Sequence, residues 1–162
     1  MGEITNGQGQ IIIISGHEEN PSLQQRADGF NREISISYPQ INNLGIRYAY
    51  DDDWVAEKIT DEILNKYPNL KGIYITGSGV IGVCKSLQKA NKIKDIKIIA
   101  NDFINDNIQL LSNGTINFLI GQDAYTQGYQ SIMLLFHKLF DNKNPDSKFA
   151  YTDIVIKNRF NI

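Results

Sequence analysis

Six short runs of nearly continuous hydrophobic residues, rich in Ile, Val and Tyr, recur along this chain: Ile11–Ile14, Leu44–Tyr50, Gly72–Ile75, Ile96–Ala100, Ile116–Ile120 and Ile154–Ile156. A strand with one wet face alternates polar and apolar side chains, so an unbroken run marks a strand covered on both faces, as in a parallel sheet. Between the runs the apolar residues take up helical spacing. The stripes are Leu23, Ala27, Phe30 and Ile34; Val55, Ile59, Ile63 and Leu64; Val80, Val83, Leu87 and Ala90; and Ile104, Ile108, Leu110 and Leu111. A fifth, greasier helix is expected from about Tyr125 to Phe140, followed by a polar loop from Asp141 to Lys148. Tyr67-Pro68 ends the second helix, because a residue before proline is pushed out of the α region. Strands alternating with helices predict right-handed βαβ units and an α/β fold: an open parallel sheet with helices on both faces.

The 162 residues are one domain's worth, able to bury roughly two thirds of their surface with no metal or disulfide. Cys84, the single cysteine, lies on an apolar helix face and reads as a small core residue. Sixteen Lys and Arg against eighteen Asp and Glu leave a net charge of −2, without the basic footprint that phosphate-backbone or anionic-membrane binding needs. The greasiest strings, Ile11–Ile14 and Ile132–Phe136, are too short to span a bilayer. No spacing of His, Cys and carboxylates suggests a metal site, no nucleophile has a base beside it, and no cofactor is expected. The expected partner is a small molecule.

In an open parallel sheet, ligands lie beyond the carboxyl ends of the strands. Those positions read Ser15-Gly16-His17-Glu18, Asp51-Asp52-Asp53-Trp54, Thr76-Gly77-Ser78-Gly79, Asn101-Asp102-Phe103 and Gly121-Gln122-Asp123. Carboxylates, amides and hydroxyls beside one indole suit a polar, uncharged ligand such as a sugar. Asp102 and Gln122 stand where continuous apolar strands stop. Arg26, on the first helix, is long enough to reach the same crevice and grip vicinal hydroxyls with its fork. His17 and Ser78 are further candidate contacts. Trp54 is either a core anchor or a platform for a sugar ring. Asp51–Asp53 precede a helix and read as caps. Gly77-Ser78-Gly79-Val80-Ile81-Gly82 is formally a GxGxxG turn, with Asp102 after the next strand, but it sits in the third strand–helix unit rather than the first.

The first unit, IIIISGHEENPSLQQRADGF, resembles the strand, loop and R-x-x-G-[FW] helix in the effector-binding domain of lactose-repressor (LacI) family transcription regulators, with Arg26, Gly29 and Phe30 in the motif positions. KGIYITGSGVIGVCKSLQKANKIKDIKIIANDF resembles the segment that ends in that family's ligand-binding acid, here Asp102, and LLSNGTINFLIGQDAYTQGYQSI resembles its crossing into the other lobe, with Gln122 and Gly128 in place. The resemblance runs from about Gln10 to the end. It implies a type I periplasmic sugar-binding fold in a non-enzymatic, cytoplasmic, dimeric regulator, with Arg26, Asp102 and Gln122 on a sugar and Trp54 at an aromatic position used by some members. Gly77-Ser78 departs from the Asn-Asp of many members, so one amide contact is missing. By the same alignment residues 1–9 are a tail, 10–121 and 149–162 form one lobe, and 122–148 belong with another, mostly absent lobe. A DNA-binding headpiece would lie in the missing part. Without that lobe, the greasy helix is expected to dimerise or to fold back on the sheet. Two alternatives stand: a transport-type sugar-binding protein of the same fold, and a nucleotide-dependent oxidoreductase using Gly77–Gly82.

Overall fold

Ile11, Ile12, Ile13 and Ile14 are wholly buried because their strand has a hydrogen-bonded neighbour along each edge and helices across both faces. The computed structural model describes residues 1–162, in the order β1 (Gly9–Ser15), α1 (Pro21–Ser37), β2 (Ile41–Tyr48), α2 (Asp53–Lys66), β3 (Leu70–Ile75), α3 (Val80–Lys89), β4 (Lys97–Asn101), α4 (Asn105–Ser112), β5 (Phe118–Gln122), α5 (Ala124–Phe140) and β6 (Ile154–Lys157). All six expected strands form one sheet, ordered β2-β1-β3-β4-β5-β6. The first five are parallel, and only β6 runs antiparallel, against β5. The reason is local. β5 ends at Gln122, and β6 starts opposite it at Ile154, so a chain that returns to the rim it left must run back down.

Alternation along the strands divides the core in two. Ile12, Ile14, Ile73, Ile75, Ile98 and Ala100 point to one face, where Ala56 and Ile63 of α2, Val83, Cys84 and Leu87 of α3, and Leu111 of α4 cover them. Ile11 and Ile13 point to the other, which carries only α1, through Ala27, Phe30 and Ile34. Beyond α1 the same face is left open over β4, β5 and β6.

Helix ends follow local chemistry. Asn20 caps α1 by accepting from the Ser22 and Leu23 amides, with Pro21 in the first turn, and the helix stops before Tyr38-Pro39. Asp52 caps α2 in the same way, and Tyr67-Pro68 closes it as expected. Ahead of β1, Glu3–Thr5 form one turn of 3-10 helix, and Met1 and Ile4 pack against the apolar layer beside α1. The final helix, α5, does not fold back on the sheet. None of its residues is buried, because Asp123 caps it directly after β5 and leaves no slack for a reversal. No helix is long and apolar enough to cross a membrane.

Two outcomes follow from this packing. A methyl group added at Gly29, inside α1, would meet nothing within 4 Å, so Gly29→Ala should raise stability by about 0.5–1 kcal/mol in chemical denaturation. Burial pushes the Cys84 thiol up to about 12. The folded protein should therefore leave Cys84 unlabelled by a thiol reagent at pH 8, and this part of its stability should be complete below pH 9 and decline as pH rises toward 12. Rapid native-state labelling at pH 8 would contradict the burial.

Candidate functional site

The carboxyl ends of β1, β3 and β4 bring together groups separated by up to 76 positions in sequence. Arg26, on the second turn of α1, points its guanidinium up to the rim. Nη1 donates to the Thr76 carbonyl at 2.6 Å and to Asp102 Oδ2 at 3.3 Å, while Nη2 donates to Asp102 Oδ1 at 3.2 Å. The fork thus closes on a carboxylate rather than standing free. The arginine side chain is 17% exposed where that of Asp102 is 48% exposed. Two consequences follow for a ligand. The ion pair is fixed at its dry end, and Asp102 keeps acceptor lone pairs facing the crevice.

Asp102 is itself held in an unusual backbone state. Its φ is +71°, in the left-handed region that costs an L-residue about 1–2 kcal/mol, less for Asp and Asn than for others. Neighbours over-determine it. Its amide donates to the Ile120 carbonyl at 2.8 Å, and the buried Asn107 donates through Nδ2 to the carbonyls of both Asn101 and Asp102 at 3.1 Å. Asn101, also buried, bridges to the Ile75 carbonyl and the Tyr74 hydroxyl, and burial pushes the Tyr74 hydroxyl above its usual range. Tyr50 and Asp51 take left-handed conformations after β2 as well, so backbone strain collects along this rim.

The three aspartates after β2 are caps, as read from the sequence, but not all for their own helix. Asp52 serves α2. Asp51 Oδ1 instead accepts from the Ser78 amide at 3.1 Å, and Asp53 Oδ1 from the Gly82 amide at 3.2 Å, so both serve the start of α3, whose N-cap Gly79 has no side chain. The GxGxxG turn is explained by this arrangement. Gly79 has a φ of +95°, and a Cβ at Gly82 would lie 1.8 Å from the Asp53 carbonyl, so that glycine lets α2 and α3 approach. The amides that would hold a pyrophosphate already hold carboxylates, which would repel it. No group of three or more His, Cys, Asp or Glu side chains is placed to bind a metal ion.

Ser78 and Asp102 line a cavity of about 310 Å³ at the crevice, together with Asn101 and Asn107. Gln122 sits at the same rim, sharing with Arg26 and Asn101 the lining of a longer groove below; its Oε1 accepts from Gln127 Nε2 at 3.0 Å. His17 and Trp54 line neither space. His17 is exposed, its ring edge against Tyr50 with centroids 5.3 Å apart. Trp54 is not a core anchor: it is 66% exposed on the first turn of α2, with Lys58 over its ring. Sequence reasoning passed over Asn101, Asn107 and Gln127. Gln127 also donates to Thr152 at 3.0 Å and so ties the outgoing chain to the returning one. Only the position of Asn101 at a strand end marked it in advance.

A comparison with protein families matches residues 1–143 to the periplasmic binding protein domain. Among solved structures, the chain is similar to an ABC transporter solute-binding protein from Burkholderia graminis in complex with D-arabinose, at 25% identity and a TM-score of 0.92, covering 99% of this chain and 56% of that one. It is similar to AraP, an arabinose-binding protein from Geobacillus stearothermophilus, at 25% identity and a TM-score of 0.86, covering 99% and 58%. A third, a solute-binding protein from Agrobacterium vitis bound with α-D-tagatopyranose, shares the fold at 20% identity and a TM-score of 0.91, covering 99% and 53%. The chain thus spans little more than half the length of these proteins. A comparison with curated proteins gave no match.

The rim pair can be weighed directly. A double-mutant cycle of Arg26→Ala and Asp102→Ala, read by urea denaturation, should return a coupling of about 1 kcal/mol, above that of an ordinary surface pair because the contact is bidentate and half dry. A coupling indistinguishable from zero would mean that the pair does not join α1 to β4.

Proposed function

We propose that this chain, which belongs to the periplasmic binding protein domain family, forms one sugar-contacting wall of a two-lobed, non-enzymatic solute-binding protein of the transport type. The observation that carries the reading is the Arg26–Asp102 pair, fixed at the carboxyl rim of a parallel sheet with Gln122 beside it. A sugar presents adjacent hydroxyls, each both donor and acceptor. Asp102 accepts from one, and the guanidinium hydrogens not used on Thr76 and Asp102 donate to the next. The pair is assembled before the ligand arrives, so binding does not have to order it.

The regulator resemblance uses the same residues and the same fold. Transport is favoured over regulation because the proteins at 25% identity are named as a transporter solute-binding protein and an arabinose-binding protein. In that reading the partner is a monosaccharide, DNA has no part, and the domain works outside the cytoplasm, in place of the cytoplasmic regulator first expected. Nucleotide-dependent oxidation loses its footing at the capped GxGxxG turn.

With a single wall, affinity is expected in the millimolar range or weaker. Titrating ¹⁵N-labelled protein with D-arabinose, D-tagatose and D-galactose should shift amides at Arg26, Ser78, Asp102 and Gln122, and Asp102→Ala should abolish the shifts. Shifts that survive Asp102→Ala, or that appear with NAD or NADP at Gly77–Gly82 and with no sugar, would overturn the proposal.

A further inference from the structure

Two surfaces of this chain lack a partner. One is the groove on the face that carries only α1, about 580 Å³, floored by Tyr74, Ile99, Phe118, Ile120 and Ile156 and walled by Phe30. The other is α5. Tyr125, Tyr129, Ile132, Phe136 and Leu139 follow one another at spacings of four and three residues and form a single stripe, each between 45% and 81% exposed. The other side of the helix, Gln127, Gln130, Ser131 and Leu134, faces the returning segment 150–152.

We propose that two copies of the chain pair head to head, each laying its α5 along the other's groove. Several observations select a second copy as the occupant. α5 cannot enter its own groove, because it starts at the rim immediately after Gln122 and projects beyond it. Gln122 and Ile154, the roots of that projection, also line the rim end of the groove, so a two-fold axis near them aligns each helix with the facing groove. Dimensions agree: seventeen helical residues span about 25 Å, and strands of five to seven residues run about 16–23 Å. Lys138, at the far end of α5, falls toward Glu3 and Glu33 at the far end of the groove, while His137 is held by Asp141 of its own chain at 2.6 Å. Three aromatic side chains per stripe, at roughly 150–250 Å² each when fully buried, with Ile132, Leu139 and the matching floor of two grooves, reach the range of about 1,600 Å² typical of a stable complex. In this pairing the two carboxyl rims face each other; the pairing is measured without sugar and stands apart from the sugar reading.

Sedimentation velocity of the 162-residue chain at about 10 μM should give twice the 18.3 kDa monomer mass. Ile132→Glu with Phe136→Glu on the helix should halve it. So should Gly29→Trp with Ile156→Glu in the groove, positions where space is open or the side chain exposed. Mixing the helix variant with the groove variant should restore a weaker dimer, because one of the two exchanged contacts is again intact. Thermal melts confirm that each variant is folded, and Ile154→Glu with Ile156→Glu on the exposed edge strand repeats the groove test if Gly29→Trp is not. A monomeric parent, a folded groove variant that stays dimeric through helix–helix contact, or a mixture that fails to associate would each overturn the proposal.

Discussion

A parallel strand has to be dry on both faces, and the rest of this structure follows from how far that condition is met. Ile11–Ile14 meet it fully. On the face toward Ile12 and Ile14, three helices complete the cover with a single continuous core. On the face toward Ile11 and Ile13, the crossover rule allows one helix only, since the sole connection running toward β2 is α1. The layer beside α1 is therefore finished by Met1 and Ile4 at one end and left as a groove over β4, β5 and β6.

The same condition concentrates chemistry at the rim. Apolar strands leave no room for polar groups until they end, so Ser15, Thr76, Asn101 and Asp102 gather where the sheet stops. The buried ones are paired there, with the Asn107 Oδ1 as the exception. Thr76 donates to Ser15 at 2.8 Å, Asn101 spans β4 and β3, and Asn107 holds the turn that carries Asp102. Arg26 arrives from the opposite layer and links α1 to this network. The strain at Asp102 persists because several hydrogen bonds fix its backbone, and its carboxylate, joined to Arg26, stays half exposed at the crevice.

Local sequence signals were sufficient for the elements. Unbroken apolar runs and period-3.6 patterns are written in nearest neighbours, so six strands and five helices could be read within a few residues of their ends, as could the rule that ligands lie beyond the carboxyl rim. Arg26, Asp102 and Gln122 were selected by that rule and by the resemblance, and they stand together at one end of the sheet. Trp54 and His17 satisfied the same rule and line neither cavity, because position after a strand fixes a residue's height but not the direction of its side chain.

What the sequence alone determined is the order and type of elements, hence an α/β lobe with a polar rim, because hydrophobic period and turn chemistry are local properties. What only the tertiary structure decided is pairing across distance. Asp51 and Asp53 serve a helix about 27 to 29 positions away, Arg26 closes on Asp102 rather than on solvent, β6 runs backwards, and α5 stands clear of the lobe. Each depends on which surfaces come within about 3 Å after the chain has packed, a relation between remote residues that no local pattern encodes.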